Sequence, residues 1–235
     1  MKVSFRAMSL IPCMSLLLAV APLAHASTFS VNGSVWEIPA FQNVPVAGSS
    51  VYGTTPTATF TVSNTAANNL FNFNSNNGPA DYTLSNFLTS GGDSLSYATG
   101  SSHSGDSLDT PGNCNSSTCV TDDLFQFTGS TTLVNGTTYD FEHDDGLLLY
   151  LNGSLVVNAG GPTSATTTPF SVCASGCDAV GGTYSFVLDY AEVDGAPAVL
   201  TTNLPLTSTP EPSSFILLGS GLFAAAGMVR RRLMA

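Results

Sequence analysis

The chain has 235 residues, of which five are Lys or Arg and sixteen are Asp or Glu, for a formal net charge of −11. All five basic residues stand at the ends (Lys2, Arg6, Arg230, Arg231, Arg232), whereas fifteen of the sixteen acids lie between Glu37 and Asp194. A body without Lys or Arg cannot neutralise phosphates, which excludes nucleic-acid binding, and each of its carboxylates must be hydrated, hydrogen-bonded or set against a bound cation.

The first 26 residues read as a secretory signal. Lys2 and Arg6 make the positive start, Ile11 to Val20 the short apolar core, and Ala24-His25-Ala26 the small residues a signal peptidase needs, with cleavage expected before Ser27. The apolar run is too short to span a bilayer comfortably, which argues against a retained anchor. Residues 27–206 form the body, long enough for one sizeable core and small for two domains. Four cysteines remain there, Cys114 and Cys119 in CNSSTC and Cys173 and Cys177 in CASGC. An even number in an exported chain favours disulfides over a four-thiolate zinc site, which prefers CxxC pairs and a reducing compartment. The pairing stays open among three connectivities.

Along the body, Asn32-Gly33 reads as a turn and Thr57 to Val62 (TATFTV) as the first clear strand. From Asn64 to Ser117 the chain is dominated by Asn, Ser, Gly and Asp, with brief apolar islands such as YTLSNFL, and long surface loops are expected. Within it, SSHSGDS (Ser101 to Ser107) brings Ser, His and Asp together. Catalytic triads, however, are assembled from distant strands, so this stretch reads as a polar loop. Further strands are expected at Leu124 to Thr128, Thr138 to His143, Leu147 to Leu151 and Thr183 to Tyr190, with turns at Asn135-Gly136 and Asn152-Gly153. In the last strand Tyr184, Phe186, Leu188 and Tyr190 share a face opposite Ser185, Val187 and Asp189. No stretch of the body has a convincing helical period, so the fold class is all-β and antiparallel, a sandwich or a barrel with long polar loops. Asn32, Asn115, Asn135 and Asn152 head N-x-S/T sequons, but three of them are also Asn-Gly pairs, and turn chemistry explains those.

The C-terminal stretch has three parts in fixed order: Pro210-Glu211-Pro212, an apolar segment from Phe215 to Val229, and Arg230 to Arg232. Prolines keep the triplet extended, the apolar segment suits a bilayer, and arginines are held on the cytoplasmic side. This arrangement resembles the PEP-CTERM sorting signal of Gram-negative bacteria that make exopolysaccharide. The resemblance implies a linker over 207–212, a transient membrane helix over 213–229 and a basic cytoplasmic tail over 230–235. It also implies processing near the triplet by an exosortase, a membrane protease, with release to the cell surface or extracellular matrix.

Between Leu124 and Leu206 the order of elements is distinctive: a VNGTTYDF hairpin, Asp144-Asp145-Gly146, an LYLNG hairpin, then GGTYSFVLDYAEVDGAPAVL. This resembles the protective-antigen-type (PA-fourteen) domain, a β-sandwich of bacterial toxins, glycosidases and yeast flocculins. Gly136 sits one place early against the usual hairpin pattern, which affects register alone. The resemblance implies a calcium ion held by Asp144 and Asp145 across a cis peptide, with Asp194 as third ligand, and vicinal sugar hydroxyls on the ion. Glu192, Gly195 and Asn152 would be the further ligand-binding residues, and Tyr190 or Tyr150 a platform for a sugar ring, although both suit a core equally well. His143, next to Asp144, is a candidate metal ligand or the end of a half-buried strand face.

The expected function is therefore a non-catalytic, calcium-dependent binder of extracellular polysaccharide. A matrix or coat component that works by self-association is the alternative. A glycoside hydrolase is the weakest reading, because acids are plentiful but nothing singles out an acid and a nucleophile.

Overall fold

The computed structural model describes residues 29–39, 50–64, 71–75, 82–108, 121–193 and 196–207. The signal segment, Cys114, Cys119, Asn115, Asp194, Gly195 and everything from residue 208 on, including the expected linker triplet, helix and basic tail, lie outside the described residues. Eleven strands are described: β1 (Phe29–Pro39), β2 (Ala58–Asn64), β3 (Asn72–Asn74), β4 (Ser94–Thr99), β5 (Thr121–Leu133), β6 (Thr137–Asp144), β7 (Leu147–Leu151), β8 (Ser154–Ala159), β9 (Thr166–Val172), β10 (Gly182–Glu192) and β11 (Val199–Thr202). With them come one short helix, α1 (Leu84–Thr89), and 3-10 turns at Ser50–Gly53 and Ser101–Gly105. Among the described residues no helix is long and apolar enough to cross a membrane.

The strands form two sheets, one of seven strands in the order β4-β2-β1-β5-β10-β7-β8 and one of four in the order β3-β11-β6-β9. Every pairing between these strands is antiparallel. The expected all-β sandwich is thus observed, and the inner faces supply its core. Val31, Val35, Phe125, Phe127, Phe186, Leu188 and Tyr190 of the large sheet meet Phe73, Tyr139, Phe141, Phe170 and Leu200 of the small one. The face expected for β10 is the buried one, with Phe186, Leu188 and Tyr190 shut from solvent. Strand β7 is buried on both faces: Leu147 and Leu149 enter the main core, whereas Leu148 joins Trp36, Leu124 and Ala191 in a smaller cluster on the outer face, packed against Val51 and Tyr52. Trp36 Nε1 donates to Thr54 O at 3.2 Å, fixing that cover.

Two expectations about the first half are corrected. Asn32-Gly33 is not a turn but lies inside β1, paired with Thr61 and Phe60 of β2. Its glycine is required by packing, since a Cβ on Gly33 would stand 2.2 Å from the Phe60 ring. The stretch from Asn64 to Ser117 is not loop alone, because it holds β3, α1 and β4. The YTLSNFL island is α1 and its approach. Thr83 caps it by accepting from Asn86 N, while Leu84, Phe87 and Leu88 are buried, and the Phe87 ring lies 5.4–5.8 Å from those of Phe73, Phe125 and Tyr190. Two helical turns are too short for a period to show in sequence. Cys173 and Cys177 are disulfide-bonded, which selects the short-loop pairing for that pair.

Candidate functional site

Strand β6 belongs to the small sheet and β7 to the large one, so Asp144-Asp145-Gly146 is the corner where the chain passes between them. The corner turns through a left-handed Asp145 (φ 63°), a conformation short polar side chains tolerate better than most. A cis peptide between the aspartates is therefore not what bends the chain here; among the described residues the cis bond is Ala196–Pro197.

Both aspartates are buried, Asp145 at 1% exposure. Asp145 is wired to both flanking loops. Its N–H donates to Thr163 O at 3.2 Å, Oδ1 accepts from Thr163 N at 3.1 Å, and Oδ2 accepts from Val193 N at 2.8 Å. The last bond ties the corner to the end of β10, where the chain enters 194–195.

His143 is withdrawn from ligation. Nδ1 lies 2.6 Å from Asp145 O and Nε2 2.8 Å from Thr168 Oγ1. A carbonyl can only accept, so the proton sits on Nδ1 and Thr168 donates to Nε2. Burial, the largest influence, pulls the imidazole below its ordinary range, against the opposing pull of Asp145.

Glu192 is placed beneath the corner rather than on its rim. It is 0% exposed, with Tyr82 donating to Oε1 at 2.6 Å and Tyr190 to Oε2 at 2.8 Å. Burial holds its carboxyl well above the usual carboxylate range, the charges of Asp145 and Asp144 push the same way, and the two tyrosine bonds oppose them. A saccharide cannot reach it. Tyr190 is likewise core, and Tyr150 is half-buried on the outer face of the large sheet.

Asn152 belongs to the opposite end of the sandwich. It forms the β7–β8 turn with Gly153 (φ 47° and 82°), and its Oδ1 accepts from Ser185 N and Ser185 Oγ, both at 3.0 Å. The five residues of β7 put roughly 20 Å between that turn and Asp145. Asn152 is a turn residue and no part of the aspartate corner.

The donor set at the corner is all oxygen: two adjacent carboxylates and the carbonyls of flanking loops. Each Asp145 oxygen accepts from a backbone N–H, which fixes the direction in which the carboxylate points. Such a set fits calcium, which takes oxygen ligands in irregular geometry.

The SSHSGDS stretch is a 3-10 turn followed by Asp106. His103 Nδ1 lies 2.7 Å from Asp106 Oδ2 and 3.3 Å from Glu37 Oε2 of β1. The bond to Asp106 raises the imidazole above its ordinary range, and Glu37 adds to this. No pattern in the sequence ties Glu37 to this turn, because the contact depends on how β4 and β1 flank β2.

Residues 208–232 match the PEP-CTERM protein-sorting motif. No curated protein matches the chain. Among solved structures, the chain is similar to a PA14 sugar-binding domain from an RTX adhesin, at 20% identity and a TM-score of 0.45, over 76% of this chain and 90% of that one. It is also similar to the PA14 domain of the antifreeze protein MpAFP, at 21% identity and a TM-score of 0.45, over 79% and 94%. A third is the epithelial adhesin 9 A domain of Candida glabrata in complex with Galb1-4GlcNAc, at 10% identity and a TM-score of 0.39, over 78% and 85%. The class that emerges is an all-β sandwich bearing a PEP-CTERM sorting motif, an exported protein sorted to the cell surface.

Proposed function

We propose that this protein is a cell-surface carbohydrate-binding module that holds a polysaccharide through calcium at the Asp144-Asp145 corner. One observation carries the reading. Two adjacent carboxylates are buried together at a sandwich corner, one on a left-handed backbone, in a body with no Lys or Arg to compensate them. Burying carboxylates costs free energy even where backbone N–H groups hold them, and left-handed non-glycine backbone tends to cluster at binding sites.

In this reading Asp144 and Asp145 hold the ion, with Asp194 as third ligand and Gly195 in the same loop. Calcium would supply open coordination positions for vicinal hydroxyls. The protein's own part is to fix the corner. Thr163 and Val193 orient Asp145, and His143 clamps its carbonyl. The exosortase that reads Pro210-Glu211-Pro212 and Arg230 to Arg232 would deliver the module to the surface, where extracellular polysaccharide is its partner.

The test is retention of the full-length chain, in detergent, on columns of the producing cell's own exopolysaccharide. Binding is expected in calcium, with release by a chelator and loss on Asp145→Asn. Retention indifferent to both treatments, or polymers on sizing without saccharide binding, would overturn the reading in favour of a self-associating matrix component.

A further inference from the structure

A second group of metal-binding side chains lies away from the aspartate corner. Glu37 of β1, His103 of the 3-10 turn and Asp106 just after it each offer one ligand atom, all within 4.8 Å of one another. We propose that Glu37, His103 and Asp106 form a second metal site, selective for a zinc-type transition ion over calcium.

The donor chemistry sets the selectivity. One imidazole nitrogen and two carboxylates make a three-ligand set of the kind that leaves a fourth position on zinc to water. The nitrogen is what calcium does not seek, and imidazole suits zinc, copper and nickel. Charge points the same way. Two carboxylates converge on one imidazole in a body without Lys or Arg, so a protonated His103 balances one of them and a divalent ion balances both.

A separate observation lies alongside. The hydroxyl of Tyr97, on β4, is shut from solvent and has no hydrogen-bond partner. Burial, followed by the nearby charges of Asp106 and Glu37, pushes its ionisation upward to about 12. A buried hydroxyl left unpaired beside a ligand cluster is uncommon in a folded protein, and a water on the ion would give it a partner.

Position also separates the site from the corner while keeping both on one rim. Glu37 is in register with Asp123 of β5, and Asp123 with Glu192 of β10, so the three share a face at one end of the large sheet. Two strand spacings put Glu37 roughly 10 Å from the backbone at Glu192. A metal at Glu37 would fasten the 3-10 turn to β1 and leave the aspartate corner to calcium.

Titration calorimetry on the chelator-treated full-length chain, with zinc chloride and then calcium chloride as probes, tests this. A zinc affinity is expected that weakens at least about tenfold in Asp106→Asn and His103→Gln and is unchanged in Asp144→Asn. Asp106 is 47% exposed in its side chain, so its substitution leaves the core untouched. In the parent, zinc should shift the His103 ring resonances and leave those of the buried His143 in place. Absent zinc binding, an affinity indifferent to both substitutions, or displacement of zinc by equimolar calcium would each overturn the proposal.

Discussion

Asp189 is 5% exposed on the outer face of the large sheet, where Gln126 Nε2 donates to it at 3.0 Å. Burial raises its carboxyl to about 6. The folded protein thus prefers the protonated acid, and the stability this contributes is fully present below the unfolded value near 4 and lost as pH rises through about 6. Asp189→Asn keeps the acceptor for Gln126 and removes the charge. Between pH 4 and pH 8, in chelator, it is expected to flatten the decline in stability by about 2 kcal/mol, read by denaturant unfolding at each pH. An unchanged pH profile would mean that Asp189 remains hydrated. Glu192 shows why residue type alone misleads about sites. Nothing in AEVDG distinguishes a rim carboxylate from one buried against Tyr82, a residue contributed from more than a hundred positions earlier in the chain.

At the level of elements, strand alternation was readable because period-two burial is local: β5, β6, β7 and β10 contain the stretches expected of them, and β2 contains all but Thr57 of its own. Asn32-Gly33 was misread because the same dipeptide serves either to turn a chain or to make room for a ring. Phe60, the residue that decides between them, lies on another strand. Gly33→Val should therefore cost about 2 kcal/mol by overpacking against Phe60, seen as a lower denaturation midpoint with an unchanged slope. In a hairpin turn with open space the same change would leave packing untouched. Asn135-Gly136 and Asn152-Gly153 are turns as expected, with positive φ at both glycines. The β6–β7 connection is a corner between sheets, and this buries two aspartates that a surface turn would leave in water.

For the whole molecule, the absence of Lys and Arg from the body means that its buried acids are answered by hydroxyls, amides and backbone N–H groups, or by bound cations. If calcium binds the folded state alone, it stabilises as RT ln(1 + [L]/Kd), about 2.7 kcal/mol at a hundredfold excess over Kd. Millimolar calcium is expected to raise the thermal midpoint of the parent and not of Asp144→Asn/Asp145→Asn. Equal midpoints in calcium and chelator would mean that the corner binds no ion.

Export, the sorting tail, the all-β class and the adjacency of Asp144 and Asp145 were legible in the sequence alone. Each rests on composition, fixed motif order or neighbouring residues, and none depends on how distant segments meet. The tertiary structure decided which acids share a site. It moved Asn152 to the far end of the sandwich, buried Glu192 under Tyr82 and Tyr190, withdrew His143 into two hydrogen bonds, and brought Glu37 to His103 and Asp106. The physical reason is that burial and ligand geometry follow from the register of strands far apart in the chain, a property no local pattern encodes.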